Sequence, residues 1–363
     1  MIPCNDIKRF YNKHQLEFEE AAIRALRSGW YILGQEGKQF EQEFALSIGG
    51  KYCVAVDNAT NALFLGIKAL GIGPGDEVLV QANTYIATVL GITRNGATPI
   101  FVEPNEYYNM NDNIEEFITS RTKAVLVTHL FGQATNMDRI ISCCKAHNLY
   151  LLEDCSQAHY AKYNDKYVGT VGIMGFFSFY PTKNIGAFGD AGAIVTNDEN
   201  LAIKLQMIRN YGSRARYDFV YDGINSRMDE IQAALLRVKL KYKDDINNER
   251  TYIANRYLKE IKNPLVELPK IADNCTTVWH LFVLRVNDRD KFMNYMKEKG
   301  ISTDIHYPTP PYLSECYRCL GHKVGEYPIT DNYSKVMVDI PLFNGMSDSE
   351  ISAVVEAING YRG

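Results

Sequence analysis

Lys183, in the stretch Ser178-Phe179-Tyr180-Pro181-Thr182-Lys183-Asn184, is the residue whose setting points most directly to covalent chemistry. An apolar, aromatic run from Gly175 to Phe179 leads in, and a glycine-spaced turn through Gly186, Gly189 and Gly192 leads out. Poor hydration between a buried strand and a loop disfavours the ammonium form of a lysine. The neutral amine is a nucleophile that forms a Schiff base with a carbonyl. Other stretches carry groups of matching chemistry. Asp154 closes the apolar run Leu151-Leu152-Glu153; a carboxylate there needs a cationic partner, and a protonated ring nitrogen is one. Asp57-Asn58-Ala59-Thr60 precedes a helical pattern, where short polar residues cap the helix or leave backbone N–H groups free for an anion such as phosphate. It is neither a Walker loop nor a G-x-G-x-x-G turn. Tyr85, in Asn83-Thr84-Tyr85, offers a flat face to a heterocycle or a side chain to the core.

The elements that must hold these groups alternate between extended and helical. Strand patterns at Tyr52–Val56, Glu77–Val80, Pro99–Val102, Ala124–Thr128, Tyr150–Glu153 and Phe176–Phe179 are separated by helical ones at 61–70, 84–94 and 136–147. That alternation predicts a parallel sheet covered by helices on both faces, with ligands bound beyond the carboxyl ends of its strands. Upstream, residues 14–28 have helical spacing that stops at Gly29, and Trp30-Tyr31-Ile32-Leu33-Gly34 reads as an aromatic loop, either a plug over the core or a lid.

Composition narrows the class. The 363 residues are 46% hydrophobic and 23% charged, with a formal net charge of −4. No basic stripe recommends a nucleic-acid partner, no apolar run reaches membrane-spanning length, and no secretory leader pattern is visible. Eight cysteines are too sparse for a disulfide scaffold, so a reducing cytoplasm is expected. The lone C-x-x-C at Cys316 and Cys319 has no second pair, and no metal is expected.

Taken in order, the motifs resemble those of the DegT/DnrJ/EryC1/StrS family of nucleotide-sugar aminotransferases, which use pyridoxal 5′-phosphate (PLP). The resemblance runs nearly end to end: 28–34, 69–78, Phe131-Gly132-Gln133, Met137-Asp138, Glu153-Asp154, 178–184, Asn210-Tyr211-Gly212, 225–234 and His306-Tyr307-Pro308. It implies an α/β fold of PLP-dependent fold type I, aspartate aminotransferase-like. A large domain with a mainly parallel sheet flanked by helices (1–245) would be followed by a smaller C-terminal α+β domain (246–363).

The same resemblance implies roles. Lys183 aligns with the lysine that carries PLP, and Asp154 with the carboxylate on the pyridine nitrogen. Gln157 falls where the family contacts the phenolic oxygen, and Tyr85 where an aromatic stacks on the ring. Ala59, Thr60 and Ser178 match the phosphate site, and Asn225 an asparagine that reaches the phosphate from a neighbouring subunit, which implies a homodimer with shared active sites. Candidates for the sugar or diphosphate are Tyr31, Tyr180, Tyr217, His306 and Tyr307, while Arg214 and Arg216 belong with Tyr217 to a loop at the dimer interface. The implied reaction moves an amino group from L-glutamate, through pyridoxamine 5′-phosphate, to a keto nucleotide sugar. The Gly29–Gly34 loop, Gln133 and Gln157 resemble members that act on dTDP-3-keto-6-deoxyhexoses and yield dTDP-3-amino-3,6-dideoxyhexoses. The alternatives are a 4-aminotransferase acting on a 4-keto-6-deoxy sugar, and a regulatory protein that binds PLP without turnover. A dehydrating relative has histidine where this chain has Lys183. Two departures stand out: Ala59 and Tyr160 occupy positions where relatives often have glycine.

Beyond Met228 a long helical pattern to Ile261 is expected to bridge the two domains, with Pro264 and Pro269 marking its end. Val278–Val286 reads as a strand, 290–299 as a helix, 301–307 as extended, Val336–Ile340 as a strand and 348–358 as a closing helix.

Overall fold

In the computed structural model, which describes residues 1–363, seven strands form one sheet. In chain order they are β1 (Tyr52–Val56), β2 (Glu77–Gln81), β3 (Thr98–Val102), β4 (Thr122–Thr128), β5 (Tyr150–Asp154), β6 (Met174–Ser178) and β7 (Gly192–Thr196). Their spatial order is β1-β7-β6-β5-β4-β2-β3. Only β7 runs against the rest, pairing antiparallel with both β1 and β6. The central strands carry unbroken apolar runs such as Val78-Leu79-Val80 and Ala124-Val125-Leu126-Val127, all fully buried. That pattern suits a sheet covered on both faces.

Helices Ala59–Ala69 and Ile86–Thr93 pack with one face of this sheet in a cluster that includes Leu63, Val80, Val89 and Phe176. The other face meets a cluster containing Phe40, Phe44, Val125, Phe177 and Leu236. A third cluster gathers its buried members from residues 253–361, around the antiparallel pair β8 (Phe282–Arg285) and β9 (Met337–Ile340). No helix is long and apolar enough to cross a membrane.

Several expectations need correction. The pattern beyond Met228 is not one helix: Glu230–Lys241 ends at Tyr242, and Lys243–Glu260 begins directly after it. Apolar spacing continues through a break that only the backbone dihedrals reveal. The strand read at Val278–Val286 shrinks to β8, because Trp279 has a positive φ of 51° and the N–H groups of Val278 and Leu281 on either side bond to Gly132 and Phe131 instead. The segment 301–307, read as extended, makes two isolated bridges, Ile2 with Ile301 and Asp304 with Asp339. Strand β7 and the helices Gln35–Ser47, Glu199–Ile208 and Pro328–Val336 had no counterpart in the sequence reading. The Trp30–Gly34 loop is not a plug, since Trp30 and Tyr31 are exposed. Its far end is anchored by the buried Glu230 carboxylate, which accepts N–H groups from Gly34, Glu36 and Gly37 at 2.7–3.0 Å.

Candidate active site

The groups singled out for chemistry converge on the carboxyl edge of the sheet. Asp57 and Asn58 follow β1, Tyr85 follows β2, and Asp154, Ser178 and Lys183 end or follow β5 and β6. Because β7 runs the other way, its first residue, Gly192, lies at that edge too, paired with Val56 on one side and Ser178 on the other.

Gly192 must be glycine. A Cβ there would lie 2.5 Å from the Asn58 carbonyl carbon and 2.7 Å from the Ala59 nitrogen, closer than packed atoms approach. Its absence lets the start of helix Ala59–Ala69 settle against β7 with Ser178 in the neighbouring register position. Asn58 caps that helix, its Oδ1 accepting the Asn61 N–H at 2.8 Å. The cap leaves the N–H groups of Ala59 and Thr60, the first helical residues, without intrahelical acceptors. With the Ser178 hydroxyl on the adjacent strand, they form a cradle suited to an anion. Ala59, at the first helical position, keeps its N–H available.

Asp154 is buried and doubly held. Thr88 donates its hydroxyl to Oδ2 at 2.8 Å, and the Ser156 N–H reaches Oδ1 at 3.0 Å. Thr88 in turn pairs with Thr84, which also meets Thr128. The sequence reading passed over Thr88. Its signal was available: Thr84 and Thr88 stand four residues apart at the start of a buried helical pattern.

Lys183 lies in the return between β6 and β7, its N–H bonded to Tyr180 O at 2.8 Å. Part of the residue stays accessible, yet its surroundings are dense, and desolvation lowers the amine to about 8, against an opposing pull from the Asp154 charge.

Gln157 joins two parts of the chain: its Oε1 accepts the Phe131 N–H at 2.7 Å, and its Nε2 donates to the Tyr307 hydroxyl at 3.0 Å. The Tyr307 and Tyr85 rings lie 5.0 Å apart, and burial pushes the Tyr307 phenol well above its usual range. His306 meets the buried Asp339 through Nδ1. Although burial opposes it, the Asp339 carboxylate holds the imidazole above its usual range.

The remaining candidates lie outside this buried group. Tyr31, Tyr180 and Tyr217 are exposed, as is Asn225, which carries no side-chain bond within the chain but pairs through its backbone with Asn210. Arg214 bonds Asp218 at 2.8 Å, and the Arg216 guanidinium stacks on the Tyr217 ring at 5.0 Å. Tyr160 takes a positive φ of 70°, the backbone for which glycine is favoured. Its buried hydroxyl meets Ser47 at 2.9 Å, so packing compensates the strained backbone. The eight cysteines are free. A buried His129–Glu153–Cys155 group has metal-ligand character, but Glu153 is already engaged by His129 and by the N–H groups of Gly169, Val171 and Gly172.

Comparison with known proteins places this geometry. The profile of the DegT/DnrJ/EryC1/StrS aminotransferase family matches residues 12–359. The dTDP-3-amino-3,6-dideoxy-alpha-D-galactopyranose transaminase of Aneurinibacillus thermoaerophilus is 49% identical, over 99% of both chains. Among solved structures, Streptomyces venezuelae DesV superposes with a TM-score of 0.97 at 39% identity, covering 99% of this chain and 97% of that one. NtdA of Bacillus subtilis, solved with bound PMP, does so with a TM-score of 0.89 at 28% identity, covering 97% and 83%.

Proposed function

Because this chain belongs to the DegT/DnrJ/EryC1/StrS aminotransferase family, we infer that it is a PLP-dependent transaminase carrying an amino group from L-glutamate to a keto nucleotide sugar. The substrate is a dTDP-3-keto-6-deoxyhexose and the product a dTDP-3-amino-3,6-dideoxyhexose, a reading supported by the name of the 49%-identical Aneurinibacillus relative. The observation that carries it is the depressed Lys183 amine within electrostatic reach of the buried Asp154 carboxylate.

The side chains present fit the cofactor. The Gly192 gap, which a Cβ would fill, lies beside free N–H groups and the Ser178 hydroxyl, a donor set that suits a phosphate. Ala59, Thr60 and Ser178 would hold that phosphate, with Asn225 contributed by a second copy. Lys183 would carry the cofactor, Asp154 would face its ring nitrogen, Gln157 its phenolic oxygen, and Tyr85 would cover its ring.

When bound, PLP supplies an electron-poor ring that accepts the electron pair left as the amine-bearing carbon of the substrate loses a proton. The protein does the rest. Asp154, fixed by Thr88 and Ser156, keeps negative charge where a protonated ring nitrogen needs it. Lys183 Nζ, its proton affinity lowered by burial, would take the proton from carbon and return it. His306, Tyr307, Tyr180, Tyr31 and Tyr217 orient the sugar and diphosphate.

The exposed Asn225 and the Tyr217 loop support a homodimer with shared sites. We place the domain boundary at 245/246, as the third cluster's buried members, all from residues 253–361, suggest. Eight free thiols suit a reducing cytoplasm. A panel of 3-keto and 4-keto dTDP-sugars assayed with glutamate, with the amine located by NMR, tests the reading. Amination at C4 would transfer the enzyme to the alternative class. Failure of glutamate to convert bound PLP to pyridoxamine phosphate would leave only a non-catalytic binding protein.

A further inference from the structure

Behind the Lys183 turn runs a narrow cleft whose walls include three basic side chains: Lys183, Lys239 and Arg250. Lys239 projects from helix Glu230–Lys241 and is 9% exposed. Its ammonium has one hydrogen-bond partner, the Gly186 carbonyl at 2.9 Å, and lies 5.3 Å from the centre of the Phe10 ring. Arg250 is 3% exposed; its Nε and Nη1 go to neutral acceptors, the Asn344 amide oxygen and the carbonyls of Trp279, His280 and Leu342, and its Nη2 makes no hydrogen bond within the chain.

Negative charge nearby is already committed. Asp6, on the cleft wall, is held by Arg9 Nε and the Lys8 N–H, each at 3.1 Å. Glu249 lends some charge to Arg250, but its oxygens accept from Asn344 and the Gly345 N–H. Two buried histidines, His159 and His280, feel the Lys183 charge, and His159 feels that of Lys239 as well. Neither brings a negative charge, and both ring nitrogens of His159 are buried without a partner. Burying an ammonium without a counter-charge is costly: desolvation, with like charge from Arg250 added, lowers Lys239 to about 7, and an anion beside it would restore the charged form.

We propose that this cleft is a binding site for a small monovalent anion of halide size, held between Lys239 and Arg250. Lys239 Nζ has two unused N–H bonds to offer, and the polar wall of Asn5, Thr182, Asn184 and Asn344 supplies the remaining shell. The site is separate from the phosphate cradle, which is built from β6, β7 and the start of helix Ala59–Ala69. Its anion fixes the underside of the turn that carries Lys183, because Lys239 is bonded to Gly186 within that turn. The inference does not depend on which sugar the enzyme takes.

Crystals of the holoenzyme soaked in sodium bromide test it, using the anomalous signal at the bromine edge. A peak at hydrogen-bond distance from both Lys239 and Arg250 is expected. In solution, the melting midpoint of the holoenzyme in chloride should exceed that in gluconate at equal ionic strength. Each tenfold rise in chloride beyond half-saturation should add roughly 2 °C by mass action. Lys239→Met should abolish the chloride dependence and Lys239→Arg should keep it. If Lys239→Met does not fold, the wild-type chloride titration and the bromide peak decide between them. No bromide peak, with equal midpoints in both salts, would overturn the proposal in favour of a neutral Lys239. A peak at high bromide without chloride-dependent stability would mean an adventitious ion only, and would overturn it as well.

Discussion

The proposed cofactor side and the proposed sugar side of this site are built differently. On the cofactor side, Asp154 and Ser178 close strands of the buried sheet, and every oxygen of Asp154 has a partner within the chain. On the proposed sugar side, Tyr31, Tyr180 and Tyr217 are 52–77% exposed, and Tyr217 sits in a loop at a positive φ of 65°. Chemistry that must place one amine and one carboxylate relative to a ring needs a rigid frame, and a sheet provides it. Recognition of a large substrate uses loops, whose side chains find partners only when another molecule arrives. The contrast teaches that the groups proposed for the cofactor ring are already held by their own chain, while those proposed for the sugar are left open to solvent.

The strongest test of that contrast is Lys183→Ala. Transamination should fall ~10⁴-fold, the upper range for losing a proton-transferring group, and the near-visible absorbance of the PLP complex should vanish. Asp154→Asn should cost on the order of 100-fold in kcat, as loss of a fixed charge at a developing charge does, while the near-visible band from Lys183 persists. Tyr217→Ala belongs to the other half: KM for the nucleotide sugar should rise about 10-fold, equivalent to about 1.4 kcal/mol, with the absorbance spectrum unchanged. A spectral change in that variant would erase the distinction between the halves.

A pH experiment sharpens the cofactor half alone. Capture of PLP by cofactor-free protein needs a neutral amine, so its rate should rise with pH around a midpoint of about 8. The folded-state value lies below the unfolded one, so the unfolded chain binds the extra proton between about 8 and 10.5. Lys183 therefore costs stability at neutral pH, and the cost is relieved as pH rises through that window. The smallest effect is expected for Asn58→Ala, which removes the cap on helix Ala59–Ala69. It should cost about 1 kcal/mol of stability, and weaken phosphate binding without altering the pH profile of capture.

Much of the frame was legible in the chain itself. Apolar runs closed by Asp154 and by Phe179, alternating with helical spacing, announced a covered sheet and which ends of its strands to inspect. The collinear motifs from Ser28 to Pro308 then identified the family. Such signals are local: a strand of buried valines declares itself by composition, and a polar residue at its end declares the edge. Strand β7 did not, because a short antiparallel return reads like any apolar run after a glycine turn, and its direction is set by its pairing with β1 and β6. The break at Tyr242 was invisible for a related reason, since apolar spacing passes through it while the dihedrals do not.

What the sequence determined alone was the reactive inventory: a lysine, a carboxylate and a helix start, each at the end of a predictable element. Only the tertiary structure decided their electrostatics. Thr88 meets Asp154 across 66 positions, and Lys239 meets Gly186 across 53. Desolvation depends on everything packed around a charge from all parts of the chain, and no local pattern encodes that sum.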